Sequence, residues 1–472
     1  MLFCQQCLAK LLLHRSQIEE FNMNQQQETV NRVDIKTARL NSEQYLENFQ
    51  EMHSPLGATE ALVEADRCYF CYDAPCMTAC PTGIDVAGFI RMIKTGNNIG
   101  AARLILEENI IGGSCARACP TEELCEQSCV RNDQDHRPVE IGLLQRHAVD
   151  AAMAVDKQFF ERAPDTGKRV AIIGAGPASL SCAHGLARHG HSVTIFEAKQ
   201  KGGGLNEYGL AAYKMLDDFA NRETNYILAI GNIEIRYGKR LGDNVEFASL
   251  HNDYDAVFVG IGLGSVNNLG LENEGVDGVM NAVDYIEQIR QSENLADLPV
   301  GKKVVVIGGG MTAIDIATQI RLLGADEVTL VYRRDKAAMN ASEEEQKFTQ
   351  VKGVKIIYSA KPHLIQVVDN QVYGVEFERT RNDENNKLEG TGEIFNLPAD
   401  MLFKAIGQTY EALSGTELTL LKGRILVDVD RKTSMPRVWA GGDAVCDGED
   451  LTVAAAQDGK LAANSIHQHL SL

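Results

Sequence analysis

The sequence is poor in basic residues relative to acidic ones. Its 472 residues include 46 Lys and Arg against 65 Asp and Glu, which gives a formal net charge of −19. Nucleic acids and anionic membrane surfaces are bound through clustered Lys and Arg. The charge balance therefore argues against both as partners.

Long apolar runs are also missing. No run approaches the roughly 20 residues that a transmembrane helix requires. The opening segment contains Leu11–Leu13 but lacks a basic n-region and a clean cleavage site, so we expect no signal peptide. We therefore expect a cytoplasmic protein without membrane contact. In such a protein a cysteine cluster is better interpreted as metal-binding than as disulfides.

Glycine, by contrast, is plentiful. The 42 glycines and the 44% hydrophobic content fit a globular α/β protein with many tight turns. The length allows about two to four domains with a substantial core.

Cysteine is unevenly distributed. Of the twelve cysteines, eight lie in one window: Cys68, Cys71, Cys76, Cys80, Cys115, Cys119, Cys125 and Cys129. Iron–sulfur clusters need grouped thiolates of this kind. Structural zinc usually takes paired CxxC or Cys/His ligands, and neither half of the window has two such pairs. The spacing alone predicts two 4Fe-4S clusters, each held by four consecutive cysteines.

The first residues differ from the rest. Cys4 and Cys7 form a lone CxxC without a second half nearby, which we interpret as an incidental pair in a frayed tail. Met23 is an alternative start of the protein. Residues 26–165 are predicted to be mostly helical.

A dinucleotide-binding pattern follows the cysteines. An apolar strand runs into Gly174-x-Gly176-x-x-Ser179 and a helix, and the next strand ends at Glu197. The glycines let backbone amides approach a pyrophosphate, and the acid can accept hydrogen bonds from ribose hydroxyls. A lone GxGxxG is weak evidence, but strand, helix and acid in register are strong evidence. The predicted contacts here are Gly174, Gly176, Pro177, Ala178, Ser179, Glu197, Gly204 and Leu205.

The pattern then repeats around Gly308 and Gly310. Laid on the first unit, Arg333 falls opposite Glu197. A carboxylate repels a 2′-phosphate, whereas a guanidinium can bind it with two hydrogen bonds. We therefore predict FAD on the first unit and NADPH on the second; the alternative is that the arginines are only a solvated basic pair. The predicted contacts are Gly308, Gly310, Met311, Thr312, Arg333 and Arg334.

The tail supplies the remaining predicted cofactor contacts. Ala405 and Gly407 end a strand, Asp443 follows Gly442 towards the flavin ribityl chain, and Thr452 and Val453 are expected near the isoalloxazine. The nucleotide domain is thus inserted in the flavin domain. The predicted regions are a flexible tail (1–25), a helical iron–sulfur domain (26–165), the FAD domain in two parts (166–268 and 397–472) and the NAD(P) domain (269–396).

With these motifs the chain, after about residue 30, resembles flavoproteins that have two dinucleotide-binding domains and an N-terminal double-cluster domain. Two groups of that family compete: the small subunit of NADPH-dependent glutamate synthase and the flavin/NAD(P) subunit of dihydropyrimidine dehydrogenase, of the PreT type. Cys119-Pro120-Thr121 and Ile141-Gly142-x-Leu144-Gln145 resemble the second group. Glutamate synthases more often have Cys-Pro-Gln and Ile-Gly-Asn-Ile-Glu there.

The resemblance implies a different set of cluster ligands from the spacing. One cluster would be held by Cys68, Cys71, Cys76 and Cys129, and the other by Cys80, Cys119, Cys125 and Gln145. Cys115, the natural ligand on spacing, becomes a buried neighbour. The resemblance also makes Lys214 a possible flavin contact. Asn340 stands where eukaryotic relatives have a further Arg, which leaves NADH open as the donor.

The implied function is electron transfer. Hydride passes from nicotinamide to flavin, which requires positioning of two rings and no catalytic side chain. The clusters would carry electrons to a partner subunit containing FMN, because this chain has no room for an FMN-binding barrel. The two subunits together would reduce uracil and thymine. The alternatives are a glutamate synthase small subunit with its large subunit, an electron-transfer subunit for another oxidoreductase, and a redox-sensing protein with structural clusters.

Overall fold

The computed structural model describes residues 34–385, 387–446 and 448–472. Cys4, Cys7 and Met23 therefore lie outside the described residues. The described chain has an N-terminal helical region, two five-stranded parallel sheets and a three-stranded antiparallel sheet. The predicted α/β class, with a helical domain in front of two dinucleotide-binding domains, is confirmed.

The helices of the N-terminal region are short, and three of those in the described chain begin at a side-chain cap. Asn41, Asp85 and Asn97 each accept a hydrogen bond from a backbone N–H in the first turn of the following helix, which satisfies a donor that the helix cannot pair internally. These helices are α1 (Ser42–Asn48), α2 (Ala58–Asp66), α3 (Pro75–Thr78), α4 (Val86–Lys94), α5 (Asn98–Glu108), α6 (Gly112–Ala118), α7 (Arg131–Asp135) and α8 (Ile141–Met153).

The remaining helices cover the two parallel sheets. They are α9 (Pro177–Arg188), α10 (Leu205–Tyr208), α11 (Phe219–Leu228), α12 (Phe247–Asp253), α13 (Ala282–Gln291), α14 (Met311–Leu322), α15 (Glu343–Val351) and α16 (Thr452–Leu470). The dinucleotide motifs lead into α9 and α14, each of which starts directly after a glycine. Across the described ranges, no helix is long and apolar enough to cross a membrane.

The strands divide between several sheets. In chain order they are β1 (Ile35–Lys36), β2 (Arg169–Ile173), β3 (Ser192–Phe196), β4 (Ile233–Arg236), β5 (Ala256–Val259), β6 (Ser265–Val266), β7 (Val279–Asn281), β8 (Val300–Gly301), β9 (Lys303–Gly308), β10 (Glu327–Val331), β11 (Lys355–Ile357), β12 (Ala360–Val368), β13 (Gln371–Asn382), β14 (Leu388–Pro398), β15 (Met401–Ala405), β16 (Gln408–Thr409), β17 (Leu420–Leu421), β18 (Arg424–Ile425) and β19 (Val438–Ala440). Strands β12, β13 and β14 form the antiparallel sheet. The longer parallel strands are continuous apolar runs, as expected for sheets that are covered on both faces.

The first parallel sheet has the order β19-β5-β2-β3-β4. Strand β19 comes from the tail of the chain and pairs with β5, so the sheet is assembled from segments on both sides of an insertion. The inserted region carries the second sheet, β11-β10-β9-β15-β7. This arrangement confirms that the nucleotide domain is inserted in the flavin domain.

One predicted boundary needs correction. The boundary at residue 397 assigns β15 to the flavin domain, but β15 pairs with β9 in the middle of the second sheet. The chain returns to the flavin domain only after β16, which pairs with β6 where the chain leaves it. An apolar parallel strand has the same pattern in either sheet, so its partner cannot be identified from the pattern.

The start of the described chain also differs from the prediction. Residues 26–165 were assigned to one helical iron–sulfur domain, but β1 pairs with β8 next to the second sheet. Tyr45 of α1 and Phe49, which directly follows α1, pack in the same core as Tyr285 of α13. This first segment therefore packs on the nucleotide domain, and the helices that carry the cysteines begin after it.

Close helix packing places the first dinucleotide loop. Helix α9, which follows the loop, crosses α16 with almost no space between the backbones. A Cβ at Gly459 of α16 would lie 2.1 Å from the carbonyl oxygen of Ala178, and a Cβ at Gly185 of α9 would lie 2.7 Å from Cβ of Ala463. The C-terminal helix thus sets the position of the helix at which the loop ends.

This contact predicts a penalty for Gly459→Ala. Alanine normally stabilises a helix interior by about 1 kcal/mol relative to glycine. Here we expect destabilisation by about 1–3 kcal/mol, because the added methyl group overpacks the contact with α9. The measurement is the thermal unfolding midpoint together with the flavin content. Gly275→Ala is the control, since nothing lies within 4 Å of its Cβ position; equal midpoints for the two variants would contradict the role of the contact.

Candidate functional site

Three glycines form the first dinucleotide loop. Gly174 has a φ of +87°, and a Cβ there would lie 2.6 Å from the carbonyl oxygen of Gly260. A Cβ at Gly204 would lie 2.7 Å from Cα of Gly176. The backbone at these positions is accessible only because side chains are missing, which suits a pyrophosphate bound by amides at the start of α9.

Glu197 reaches this loop from the end of β3. One of its carboxylate oxygens accepts a hydrogen bond from the Ala175 N–H at 2.7 Å, and the other accepts one from the Lys199 N–H at 2.7 Å. The side chain is buried. The structure therefore brings the predicted acid to the glycine loop, where a ribose would lie beside a pyrophosphate.

The other predicted flavin contacts gather around the first turn of α9. This turn contains Pro177, Ala178 and Ser179. Gly442 of the tail lies against it, since its Cβ would be 3.3 Å from Cβ of Ala178. Leu205 is the exposed first residue of α10.

Asp458, which no sequence motif indicated, holds the tail motif in place. Its carboxylate accepts a hydrogen bond from the Gly442 N–H at 2.9 Å and pairs with Arg431 at 2.7 Å. Asp458 is the one acidic residue of α16, and this was the one available signal. Asp443 follows Gly442, and burial, reinforced by Asp450 and opposed by Arg424, raises the pKa of Asp443 to about 6.

Thr452 and Val453 begin α16 beside the same loop. The Thr452 hydroxyl donates a hydrogen bond to the side-chain oxygen of Asn206 at 2.7 Å. Val453 is buried. The helix N-terminus is thereby directed to the space between the tail and α10, where the isoalloxazine was predicted.

The second dinucleotide loop is built in the same way. Gly308 has a φ of +155°, and a Cβ there would lie 2.2 Å from the carbonyl oxygen of Ala405. Gly310 directly precedes α14 and has open space at its Cβ position. Gly407 accepts a hydrogen bond from the Asn267 N–H at 3.1 Å. Ala405 therefore lies at the second loop, and Gly407 lies where the chain crosses back.

Arg333 and Arg334 follow the carboxyl end of β10, and both are exposed. Their backbone carbonyls accept hydrogen bonds from the Thr380 hydroxyl at 2.7 Å and the Ser359 N–H at 2.9 Å. Within the described residues, no carboxylate pairs with either guanidinium. The backbone is held while the side chains stay free, which suits phosphate binding.

Three domains meet at one cavity beside α14. Its lining includes Met311 from the nucleotide helix, Leu451 just before α16, and Pro120 directly after Cys119. Thr312 follows Met311 in the first turn of α14. The segment that follows Cys119, the nucleotide loop and the predicted flavin site thus border a common space.

Lys214, the predicted flavin contact, is paired with carboxylates of the nucleotide domain. Its Nζ lies 2.8 Å from Asp315 of α14 and 2.7 Å from Glu345 of α15. Burial alone would lower the pKa of Lys214, but the two carboxylates outweigh it and raise the pKa above its ordinary value. Neither partner was predicted, because each is an ordinary helix acid until the helices pack.

The first cysteine set converges on one cavity. Cys68, Cys71, Cys76 and Cys129 all line it, together with apolar side chains, and all four are free thiols. Burial is the main cause that raises the pKa of Cys68 above its ordinary value and that of Cys76 to about 12. Iron would have to replace these protons, since the thiolate is the metal ligand.

A second group of cysteines is also brought together. It consists of Cys80, Cys119 and Cys125 and is called the second cysteine set. The pKa of Cys119 is raised by a hydrogen bond with Cys115, by burial, and by the nearby Cys125 and Cys80. Burial and neighbours that include Cys80 and Cys76 raise the pKa of Cys125. Over the described residues, no three Cys, His, Asp or Glu side chains lie close enough to hold a single metal ion. The ligands of a cubane are spread over four iron atoms, so the donor set fits clusters.

Gln145 contacts α6, the helix that ends next to Cys119. It is buried on α8, and its side-chain Nε2 donates a hydrogen bond to the carbonyl oxygen of Gly112 at 2.6 Å. Gly112 begins α6, which ends next to Cys119. Cys115, also buried, accepts a hydrogen bond from the Asn109 amide at 3.2 Å. Cys115 is thus within hydrogen-bonding distance of Cys119, whereas Gln145 is attached to the opposite end of α6.

Comparison with known families identifies two domains. Residues 168–459 match the model of the pyridine nucleotide-disulphide oxidoreductases. Residues 45–157 match the model of dihydropyrimidine dehydrogenase domain II, a 4Fe-4S cluster domain. These matches confirm the predicted cofactors FAD, NAD(P) and 4Fe-4S clusters.

Two full-length relatives have different named activities. The chain is 34% identical over 426 residues to the NAD-dependent dihydropyrimidine dehydrogenase subunit PreT of Salmonella typhimurium, covering 90% of this chain and 97% of that protein. It is also 34% identical over 451 residues to the small chain of NADPH glutamate synthase of Escherichia coli, covering 90% and 94%. Both competing groups are therefore represented at the same identity.

Solved structures support the fold. FprA from Mycobacterium tuberculosis, solved in complex with NADPH, has a TM-score of 0.57 at 17% identity, covering 66% of this chain and 85% of its own. Thioredoxin reductase of T. acidophilum has a TM-score of 0.51 at 21% identity, covering 64% and 97%.

The free guanidinium groups at the second loop generate a prediction for Arg333→Ala. We expect KM for NADPH to rise about 10- to 100-fold, because hydrogen bonds to charged groups contribute about 1.5–3 kcal/mol. KM for NADH should change little, since NADH has no 2′-phosphate. Steady-state dye reduction measures both constants. Arg381→Ala, on β13, is the control; an equal effect of Arg333→Ala on both nucleotides would overturn the assignment.

The second cysteine set generates a prediction that separates the two candidate ligands. Gln145→Ala should lower the iron content from about eight towards four per chain, because one cubane is lost. Cys115→Ala should leave it at about eight. Iron and flavin analysis of anaerobically purified protein measures both, with Cys182→Ala as a buried-cysteine control. The opposite pattern would return the ligand role to Cys115.

Proposed function

Because the chain belongs to the pyridine nucleotide-disulphide oxidoreductase family, in the group that carries an N-terminal 4Fe-4S domain, we propose that it is the electron-input subunit of a dihydropyrimidine dehydrogenase. It is an oxidoreductase that uses FAD, NAD(P) and 4Fe-4S clusters. Its electrons would pass to an FMN-containing partner that reduces uracil and thymine to their 5,6-dihydro forms. The relatives are named as a subunit and a small chain, which supports the need for a partner.

The residues at the two loops would bind different cofactors. The glycines of the first loop would admit the FAD pyrophosphate, with Glu197 at the ribose. Those of the second loop would admit the nicotinamide nucleotide, with Arg333 and Arg334 at its phosphate. When bound, flavin accepts a hydride and releases electrons one at a time. The chain itself needs only to hold the two rings together and exclude water, which requires no nucleophilic side chain.

The proposed ligands of the first cluster are Cys68, Cys71, Cys76 and Cys129, and those of the second are Cys80, Cys119, Cys125 and Gln145. The shared cavity of the first four supports one set. Besides Cys115 and burial, Cys125 and Cys80 raise the pKa of Cys119, and Cys80 is among the neighbours that raise the pKa of Cys125, which supports the other. The two clusters would thereby link both ends of the helical region.

The second cluster would lie nearer to the flavin. Pro120, next to Cys119, and Leu451, next to Thr452, line the same cavity, whereas the cavity of the first set is lined only by residues of the helical region. Cys80, Cys119, Cys125 and Gln145 would therefore hold the cluster on the side of the flavin site. Cys68, Cys71, Cys76 and Cys129 would hold the one on the side of the partner.

Buried Gln145 is the observation that favours pyrimidine reduction. Its amide is hydrogen-bonded to the start of α6, the helix that ends next to Cys119, at a position where glutamate synthases more often have Glu. The second candidate is the glutamate synthase small chain, which the equal identity to the Escherichia coli protein favours. In that case the partner would be the large subunit, which forms glutamate from glutamine and 2-oxoglutarate.

Reconstitution with a partner tests the proposal. The isolated chain should oxidise NAD(P)H with an artificial dye but should not reduce uracil. Adding an FMN-containing dihydropyrimidine dehydrogenase catalytic subunit should produce dihydrouracil, measured by chromatography. A parallel mixture with a glutamate synthase large subunit, assayed for glutamate, is the matched control. Uracil reduction by the isolated chain, or glutamate formation alone, would contradict the proposal.

A further inference from the structure

A carboxylate of the flavin domain lies at the start of the helix that leads to the second cysteine set. Glu223 belongs to α11 and is buried. One of its oxygens accepts hydrogen bonds from the Gly113 N–H at 2.9 Å and the Ser114 N–H at 3.0 Å. The other accepts one from the Ser114 hydroxyl. A single side chain thus satisfies three donors of α6.

The opposite end of α6 contacts the same flavin helix. The guanidinium of Arg117 lies over the ring of Phe219, 3.6 Å from its centroid. A Cβ at Gly113 would lie 2.5 Å from that ring and 2.9 Å from the Glu223 carboxylate. Helix α6 is therefore held along its length by two side chains of α11, and glycine permits the close approach.

Two of the ligands proposed for the second cluster are attached to the ends of α6. Gln145 donates its hydrogen bond to Gly112 at the start of α6, and Cys119 is the residue at which α6 ends. A shift of α6 would move both groups. In this way the contact with α11 connects the position of the flavin domain to two of the proposed cluster ligands.

Capping a helix with a buried carboxylate costs desolvation free energy. Burial, opposed by Ser114, Gly113 and Arg117, raises the pKa of Glu223 to about 7. Ser, Asn or Thr at the N-cap would satisfy such donors without a buried charge. The carboxylate instead gives a rigid, two-oxygen contact between separate domains.

We propose that Glu223 is a positioning residue for the second 4Fe-4S cluster, which holds α6 from the flavin domain and so sets Cys119 and Gln145 around the iron. The inference rests on the ligands proposed above for that cluster. It concerns the fixed geometry of the ligands, and not the supply of electrons to any particular partner.

Three substitutions at this position and one neighbour form the test. Glu223→Gln keeps one oxygen for the two backbone donors and an amide for the Ser114 hydroxyl. Glu223→Asp keeps the charge but withdraws it from α6, and Glu223→Ala removes the contact. Thr224→Val is the control, because Thr224 is an equally buried neighbour whose hydroxyl bonds within its own helix. The measurements are the EPR spectrum of the reduced protein, the iron and flavin contents and the unfolding midpoint.

We expect Glu223→Ala to lower the iron content from about eight towards four per chain and to remove one EPR signal, with flavin retained. Glu223→Asp should shift the g-values of that signal, and Glu223→Gln should restore the wild-type spectrum. The control should change only the unfolding midpoint. A wild-type spectrum in Glu223→Ala or Glu223→Asp, or the same loss in Thr224→Val, would overturn the proposal.

A parallel Gln145→Ala variant separates this proposal from the ligand assignment. If Gln145→Ala leaves the EPR signal intact while Glu223→Ala removes it, Gln145 is not a ligand but Glu223 still positions the cluster through Cys119. If Gln145→Ala removes the signal and Glu223→Ala does not, the ligand assignment stands and the positioning role fails.

Discussion

Buried charges paired across domain boundaries hold the junction on which the rest of the structure depends. Lys214 joins the flavin segment to Asp315 and Glu345 of the nucleotide domain. Arg146 of α8 pairs at 2.7 Å with Glu51, which follows the segment docked on the nucleotide domain. An uncompensated buried charge is strongly unfavourable, so each pair permits only relative positions of the domains that keep its partners together. The cavity shared by Met311, Leu451 and Pro120 exists within that arrangement.

The two dinucleotide-binding units have the same backbone arrangement but suit two different ligands. In each, glycines bring a loop against the neighbouring strand end, and a helix starts where a pyrophosphate would lie. The difference is in the side chain that follows the second strand. Glu197 is buried and accepts hydrogen bonds from backbone amides. Arg333 and Arg334 are exposed, and no carboxylate of the described residues pairs with their guanidinium groups. The same fold thus offers a diol site in one unit and a phosphate site in the other.

The helical region obtains its shape from contacts that are distant in sequence. Cys129 lies in one cavity with Cys68, Cys71 and Cys76, although the second cysteine set intervenes along the chain. Helix α6 is fixed from outside the region, by α11 of the flavin domain. Its short helices bury a continuous apolar core with the flavin sheet. The cysteine loops therefore depend on the flavin domain for their placement.

Local chemistry is what the sequence determined by itself. Cysteine grouping indicated clusters, and glycine spacing with Glu197 and Arg333 indicated two nucleotide units, because each signal lies within about 30 residues of chain. Tertiary structure alone decided the partners of β15, the docking of α1 on the nucleotide domain, and the carboxylates around Lys214. It also revealed Asp458 behind Gly442 and Glu223 against α6. A parallel strand or a helix acid has the same pattern whichever neighbour it meets, so only the packed chain shows which contact forms.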